Sequence, residues 1–405
     1  MLSQRRRRAA VLFIFVTVMI DVLSMGIVIP VLPMLVQQFV GGDTARAAQM
    51  LGVFGTAWAL MQFICSPLLG AMSDRFGRRA VVLISCSGLA LDFFFMALAP
   101  SLSWLFVGRV ISGICAASFS TGFAYVADIT PPEERAAKMG LIGAAFGLGF
   151  VVGPALGGIL GHTNPRLPFW VAGCLAVLNA AYGFFVLPES LPKERRALFS
   201  WARANPVGSL KLLRSHHELF GLASVTFLIN LAHVVLPAVT VLYMSYRFHF
   251  STELVGYTLA GVGFCSMIVQ GGLVRPVVAR LGERAAMAIG LLAGAAGFAI
   301  YGWATTAWVF WIGVPVMSVW GLAGPSIQGL MTRRVSASEQ GQLQGANASI
   351  MGIAGMFGPA LFTSIFAACV AHPAWRLPGA PYLVASAVLV AALLLAWRVT
   401  RQRSS

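Results

Sequence analysis

The sequence predicts an all-α integral membrane protein of twelve transmembrane helices in two pseudo-symmetric six-helix bundles. Three observations carry that prediction. The chain is too apolar to live in water, its basic residues favour one side loop by loop, and it repeats itself at a fixed offset.

Of 405 residues 58% are hydrophobic and 10% are charged, with a mean hydropathy of +0.83. Soluble domains carry about 25% charged residues, so this chain lacks a water-facing surface. Apolar runs recur along its whole length, each about 18 to 25 residues and able to cross a hydrocarbon core roughly 30 Å thick. Lipid obliges each segment to satisfy its own backbone polar groups, which selects helices. The runs show no period-2 alternation, which excludes a β-barrel.

Twelve spans follow. In the first half they lie near 9–36, 46–71, 79–99, 102–127, 136–161 and 167–187. In the second they lie near 217–245, 252–277, 285–305, 307–332, 338–368 and 379–399. The first span has the basic flank of a signal peptide, but it is too long for one and lacks a small-residue cleavage site. It is expected to stay in the mature protein.

The net charge of +15 is distributed unevenly. Loops on one side carry 23 of the 28 Lys and Arg, from Arg5–Arg8 through Arg135, Lys193 and Arg333 to Arg403. The opposite side carries Arg46, Arg166, Arg247 and Arg376, and Arg109 sits within a span. This is the positive-inside pattern. It predicts a multi-pass membrane protein with both termini cytoplasmic. The basic charge orients the chain in anionic lipid, so nucleic acid is not an expected partner. All six cysteines fall in apolar spans without a CxxC pair, which reads as structural thiols and no metal site.

The repeat has an offset of 205 residues. Glu134 maps on Glu339, Gly140 on Gly345, Gly147 on Gly352, and Gly153–Leu156 on Gly358–Leu361. The same offset carries Arg75, Gly77 and Arg79 onto Arg280, Gly282 and Arg284. The halves therefore read as bundles of one topology, residues 1–187 and 217–405, joined by a polar cytoplasmic linker, 188–216. Parallel six-helix repeats of this kind are the plan of the major facilitator transporters, in which substrate sits between the halves near mid-bilayer and rocking alternates its access.

Two motifs strengthen the resemblance. Gly70-Ala-Met-Ser-Asp74-Arg75-Phe-Gly77-Arg78-Arg79, between spans two and three, is similar to the superfamily's cytoplasmic loop motif. Gly77 permits a tight turn, and the Asp and Arg cluster can latch neighbouring helix ends. Asp128 resembles the family's partner for that latch. In span five Gly149, Gly153, Pro154, Gly157 and Gly158 resemble the motif of the family's antiporters. Small residues four apart let helix backbones approach closely.

Further stretches narrow the likeness over nearly the whole chain: DVLSMGIVIPVLP at 21–33, YVADITPPEER at 125–135, Leu187–Ser190, ARLGER at 279–284 and GQLQG at 341–345. Together they resemble the tetracycline-efflux branch of twelve-helix drug–proton antiporters. That resemblance implies export of tetracycline as a metal chelate in exchange for protons, with the proton gradient as energy source and no cofactor. One departure stands out. Family pumps carry an acidic residue in span nine after a Gly-x-x-Ala pattern, whereas here Gly290-Leu-Leu-Ala293 is followed by Gly294. The family's span-eight histidine is also replaced, near Ser266. The expected substrate is thus a small amphiphilic drug, tetracycline-like or other, handled without dependence on magnesium.

Three charges lie within spans: Asp21, Asp92 and Arg109. Each costs about 2.5–3.5 kcal/mol at mid-helix on insertion scales, so a functional role is the default. Asp92 and Arg109 both lie seven residues from the periplasmic ends of their spans, roughly 10 Å deep at 1.5 Å per residue. Equal depth on antiparallel neighbours predicts an ion pair. Asp21 lies nearer mid-depth in a helix containing Gly and Pro, and is expected to face the cavity as the main proton site. Arg109-x-x-x-Gly113 resembles the family's span-four motif linked to proton transfer. Gln62, Asn230, His233, Gln270 and Asn347 are the weaker cavity candidates. The aromatic runs Phe93–Phe95 and Trp308–Trp311 are expected to face lipid or packing.

No P-loop, zinc-ligand spacing or GxSxG elbow is present, so the chain reads as no enzyme and as driven by an ion gradient. It is expected to act as a monomer. The competing readings are an exporter of a non-tetracycline metabolite, an uptake or facilitated carrier, and, remotely, a non-transporting sensor.

Overall fold

A computed structural model describes residues 4–116, 118–130, 132–192, 194, 196, 205, 210, 212–213, 217–336 and 339–401. Every regular element among them is helical. The first half holds α1 (Gln4–Val28), α2 (Leu32–Phe39), α3 (Thr44–Phe76), α4 (Arg78–Ala97), α5 (Leu102–Cys115), α6 (Ser118–Ile129), α7 (Pro132–Thr163) and α8 (Leu167–Val186). The second holds α9 (His217–His233), α10 (Val235–Phe248), α11 (Thr252–Ile268), α12 (Val274–Trp303, kinked at Gly282 where span eight passes into span nine), α13 (Ala307–Ser318), α14 (Ala323–Thr332), α15 (Gln340–Ala371) and α16 (Ala380–Arg401).

Sixteen helices cover the twelve expected spans among the described residues because several spans are broken, and ten helical stretches are each long and apolar enough to cross a membrane. Proline interrupts the first span: α1 ends at Val28, Pro30 lies in the turn, and α2 resumes with Pro33 near its start. There the ring tolerates the missing N–H. Span four breaks after Cys115. Span ten passes through a 3₁₀ segment, Val319–Leu322, and span eight through one π-helical turn, Val269–Leu273. Most predicted ends hold to within three residues. The exceptions are polar or basic ends carried by helix beyond the lipid, such as α3 running to Phe76 and α7 starting at Pro132.

The repeat is visible in local geometry. Gly77 has φ 108° and Gly282 φ 79°, so both copies of the loop turn through backbone open to glycine. Both α7 and α15 run 32 residues with an internal proline, Pro154 and Pro359.

Two compact units cluster: Met1–Leu35, Ala57–Asn205 and Thr252–Ala260 in one, Val36–Thr56, Pro206–Ser251 and Gly261–Ser405 in the other. They follow the sequence halves except for one segment each way, and small residues explain both exchanges. In the first unit a Cβ on Gly158 would lie 2.9 Å from the Cα of Gly256 on α11. In the second a Cβ on Gly55 of α3 would lie 2.9 Å from the Cβ of Pro359 on α15, and Thr56 donates to the Met356 carbonyl at 3.0 Å. Of the basic linker residues Lys193, Arg195, Arg203, Lys211 and Arg214, and of the chain-end Arg403, nothing further follows, since they lie outside the described residues.

The first unit is cored by Ile14, Val18, Val82, Cys86, Tyr125 and Ile142. The second is cored by aromatic rings: Tyr243 packs edge-on to Tyr382 at 5.0 Å, and Tyr301 stacks on Phe310 at 4.3 Å. The buried phenols keep their polar tips satisfied. Tyr243 donates to the Tyr301 carbonyl at 2.7 Å and Tyr382 to Thr240 Oγ1 at 2.8 Å. The sparse arginines of the opposite face have a structural task. Arg166 donates to the Ala97 and Ala99 carbonyls at 2.9 and 2.8 Å, and Arg247 to the Ala304 carbonyl at 3.2 Å. Each thereby satisfies orphan carbonyls at a helix C-terminus. Among the aromatic runs, Phe93 is core and Trp308 is exposed, as packing and lipid require.

Candidate functional site

Asp21 sits in the last third of α1, 2% exposed, inside the first unit. Its Oδ1 accepts a 2.8 Å hydrogen bond from Asn179 Nδ2 on α8, which also donates to the Thr17 carbonyl at 3.0 Å. The Cys86 thiol of α4 lies 3.7 and 3.8 Å from the two carboxylate oxygens. The carboxylate therefore points into the α1–α4–α8 interior in this conformation, where the sequence predicted a cavity-facing side chain. Asn179 is the partner that sequence reasoning missed; an amide in the centre of an otherwise apolar helix was the available signal.

Asp92 on α4 is fully buried, with Ser112 of α5 beside its carboxylate but no hydrogen bond of good geometry to either oxygen. Asp92 and Arg109 lie close enough to attract each other, but they make no direct salt bridge. A Cβ on Gly108 would lie 3.1 Å from Asp92 Oδ1, so the glycine face of α5 receives the carboxylate. Arg109, about 100° further round that helix, places its guanidinium 5.5 Å from the centre of the Trp58 ring on α3. Equal depth was right; azimuth decided the contact. At Gly113 a Cβ would meet the Trp58 carbonyl at 2.6 Å, which is why the last residue of that motif is small.

The glycine motif of α7 is a two-sided packing face. Gly149 and Gly153 lie against α1, where a Cβ on Gly26 would approach Gly153 Cα at 3.0 Å and the Gly149 carbonyl at 3.1 Å. Gly157 leaves no room for a Cβ beside the Ile27 carbonyl, while Gly158 and Pro154 meet Gly256. The helix that carries Asp21 thus runs in backbone contact with the motif.

The loop latch is also present, with more partners than expected. Arg78 bonds Asp74 at 2.5 Å, Asp128 at 3.0 Å and Ser73 Oγ at 3.2 Å. Its backbone N–H donates to Glu189 Oε1 at 2.9 Å. Glu189 therefore caps the N-terminus of α4 from a remote segment, a favourable place for a carboxylate. It also accepts from the Leu191 N–H and lies 3.7 Å from Arg196. Gly77 is favoured by its φ of 108°, and a Cβ there would also displace the Glu189 carboxylate. Arg79 donates to the Phe184 carbonyl and covers the Phe184 ring, and Arg75 covers Phe76. Gly70 has open space around it and carries no contact in the latch.

The weaker candidates divide. In the second unit His233 ends α9, exposed, its ring 5.6 Å from that of Trp320. Gln270 is exposed in the π-helical turn, a feature frequent at functional sites. Asn347 donates to Gln328 Oε1 at 2.7 Å, leaving its own carbonyl and the Gln328 amide unpartnered. Asn230 donates back to the Thr226 carbonyl at 2.8 Å within its own helix. Gln62, in the first unit, is half-buried on α3. Trp320 was not foreseen and is decisive. A Cβ on Gly294 would lie 2.8 Å from Trp320 Cγ and 2.8 Å from Leu389 Cδ1. The position where the resemblance places a carboxylate is packed by an indole.

Apolar spans in a doubled bundle, with carboxylates and an arginine held inside the first unit, define a polytopic membrane transporter. The chain belongs to the Major Facilitator Superfamily, whose model matches residues 14–359. It is similar to the class C tetracycline resistance protein of Escherichia coli, 37% identical over 378 residues covering 93% of this chain and 95% of that protein. The class D protein of Salmonella ordonez is 33% identical, covering 89% of this chain and 90% of its own. Among solved structures, the human organic anion transporter MFSD10 (TETRAN) superposes with a TM-score of 0.73 at 25% identity, covering 96% of this chain and 99% of that one. The nucleoside transporter NupG (D323A mutant) reaches 0.78 at 12% identity over 96% and 99%, a likeness of fold alone.

Proposed function

We propose that this protein is a proton-coupled antiporter that exports a small amphiphilic drug of the tetracycline type across the bacterial inner membrane by alternating access. The observation that carries the reading is the pair of buried carboxylates, Asp21 bonded to Asn179 and Asp92 enclosed between α4 and α5 in the field of Arg109. Ionisable groups buried in a membrane-spanning helix are costly and persist where they work. Asp21 is the main proton carrier, with Asp92 and Arg109 tuning it. Residues 1–187 and 217–405 are the moving halves, the termini are cytoplasmic, and the monomer suffices. The Arg78 latch holds one end state, and the close contacts of Gly158 with the Gly256 backbone and of Gly55 with the Pro359 ring must part in the other. The tetracycline resistance relatives support the substrate class.

A second reading, a different amphiphilic substrate carried by the same machinery, is favoured by one observation: Trp320 and Leu389 fill the space beside Gly294. Everted membrane vesicles separate the two. Proton-driven uptake of labelled tetracycline that survives chelation of magnesium supports the first reading. Proton antiport elicited only by other amphiphiles supports the second.

A further inference from the structure

The two copies of the loop motif have diverged, and the divergence leaves an arginine unused. At the 205-residue offset Asp74 becomes Ala279, Arg78 becomes Glu283, and Arg79 becomes Arg284. Arg79 has the Phe184 carbonyl and ring. Arg284 is exposed and makes no hydrogen bond or ion pair with the protein among the described residues. It stands where two clefts of the second unit meet. The first, about 350 Å³, is lined by Glu283, Arg284, Arg333 and Arg334 beside Leu281 and Leu330. The second, about 440 Å³, runs from Arg284 between α12 and α16 past Met287, Ala288, Leu393 and Trp397.

We infer that these joined clefts bind one anionic glycerophospholipid, its headgroup phosphate on Arg284 and Arg333 and an acyl chain along the Met287–Leu393–Trp397 groove. The charge fits an anion: the guanidinium groups of Arg284 and Arg333 face one carboxylate, Glu283. Glu283 engages Arg333 at 3.0 Å, yet 76% of that arginine side chain remains exposed, and Arg334 donates to the Leu330 carbonyl at 2.8 Å. A guanidinium fork matches phosphate oxygens bidentately. The groove fits a chain: its walls beyond Arg284 are apolar, and Trp397, 62% exposed, is the ring type favoured at the membrane interface. Basic pockets between helices on the cytoplasmic side take anionic headgroups, and the positive-inside pattern puts this end there.

The test uses purified full-length protein titrated with dibrominated phosphatidylglycerol or dibrominated phosphatidylcholine, reading the part of tryptophan quenching that Trp397→Phe removes. Preferential quenching by phosphatidylglycerol is expected. Arg284→Ala should lower its relative affinity about fivefold, the worth of one surface-proximal arginine, and Arg284→Lys, which keeps the charge but not the fork, should recover only part of it. Equal quenching by the two lipids in the wild-type protein would overturn the proposal, a comparison that stands even where a variant fails to fold. Displacement of the lipid by millimolar glycerol phosphate would make this a free-phosphate site and overturn the lipid assignment.

Discussion

Gly294→Asp restores the acidic residue of the tetracycline pumps, and the packing around Gly294 predicts that it destabilises this protein. The new Cβ would lie 2.8–2.9 Å from the Trp320 ring and 2.8 Å from Leu389 Cδ1. Real Cβ contacts do not close to that distance, so the indole must move. Trp320 is itself wedged, 8% exposed, between Phe298 at 5.5 Å and His233 at 5.6 Å. Overpacking of this sort costs about 1–3 kcal/mol, and a carboxylate in a membrane helix adds about 2.5–3.5 kcal/mol. The expected total is roughly 4–6 kcal/mol. Gly294→Ala isolates the packing part and should cost about 1–3 kcal/mol. Unfolding of the purified protein by SDS, followed by circular dichroism, measures both. Adding Trp320→Ala to Gly294→Asp should give a coupling of about 0.5–3 kcal/mol in the relieving direction. Wild-type stability for Gly294→Asp, or no coupling to Trp320, would refute the claim that the indole excludes the carboxylate.

Five further variants at four positions probe the other sites. Asn179→Ala removes the amide from Asp21 and should cost about 1.5–3 kcal/mol; it should also move the pH profile of transport, whereas unchanged pH dependence would remove Asn179 from the proton site. Glu189→Ala leaves the Arg78 and Leu191 N–H groups without their acceptor; because the site is partly exposed the loss should be about 1 kcal/mol, with Glu189→Gln closer to wild type, read as transport rate and melting temperature. Gly157→Val drives a side chain into the Ile27 carbonyl and should prevent stable insertion of the first unit, seen as loss of protein from the membrane fraction, while Gly70→Ala, with open space around it, should be neutral.

Spans, repeat and latch were legible because each rests on a one-dimensional signal: apolar length, a constant offset, or a turn glycine beside charges. What stayed hidden lies around the helix axis. Residue counting put Asp92 and Arg109 at one depth, yet the step from Gly108 to Arg109 turns the guanidinium to Trp58 and the carboxylate to a glycine. Asp21 was placed by height and composition, but its direction comes from Asn179 and Cys86 on helices far along the chain. Glu189 sits in Leu187–Ser190, a stretch recognisable in the sequence, but its bond to the Arg78 N–H spans 111 positions. Trp320 gave no local sign at all, since only the fold brings it onto Gly294.

The account rests on Asp21 exchanging protons for drug, and drug-elicited proton release is its most direct test. Everted vesicles are acidified inside by respiration and followed with a pH-sensitive dye while tetracycline is added, for wild type, Asp21→Glu and Asp21→Asn. The account predicts a drug-dependent alkalinisation for wild type, a reduced one for Asp21→Glu and none for Asp21→Asn at equal protein levels. Full proton release by Asp21→Asn would contradict it and move the coupling site to another group.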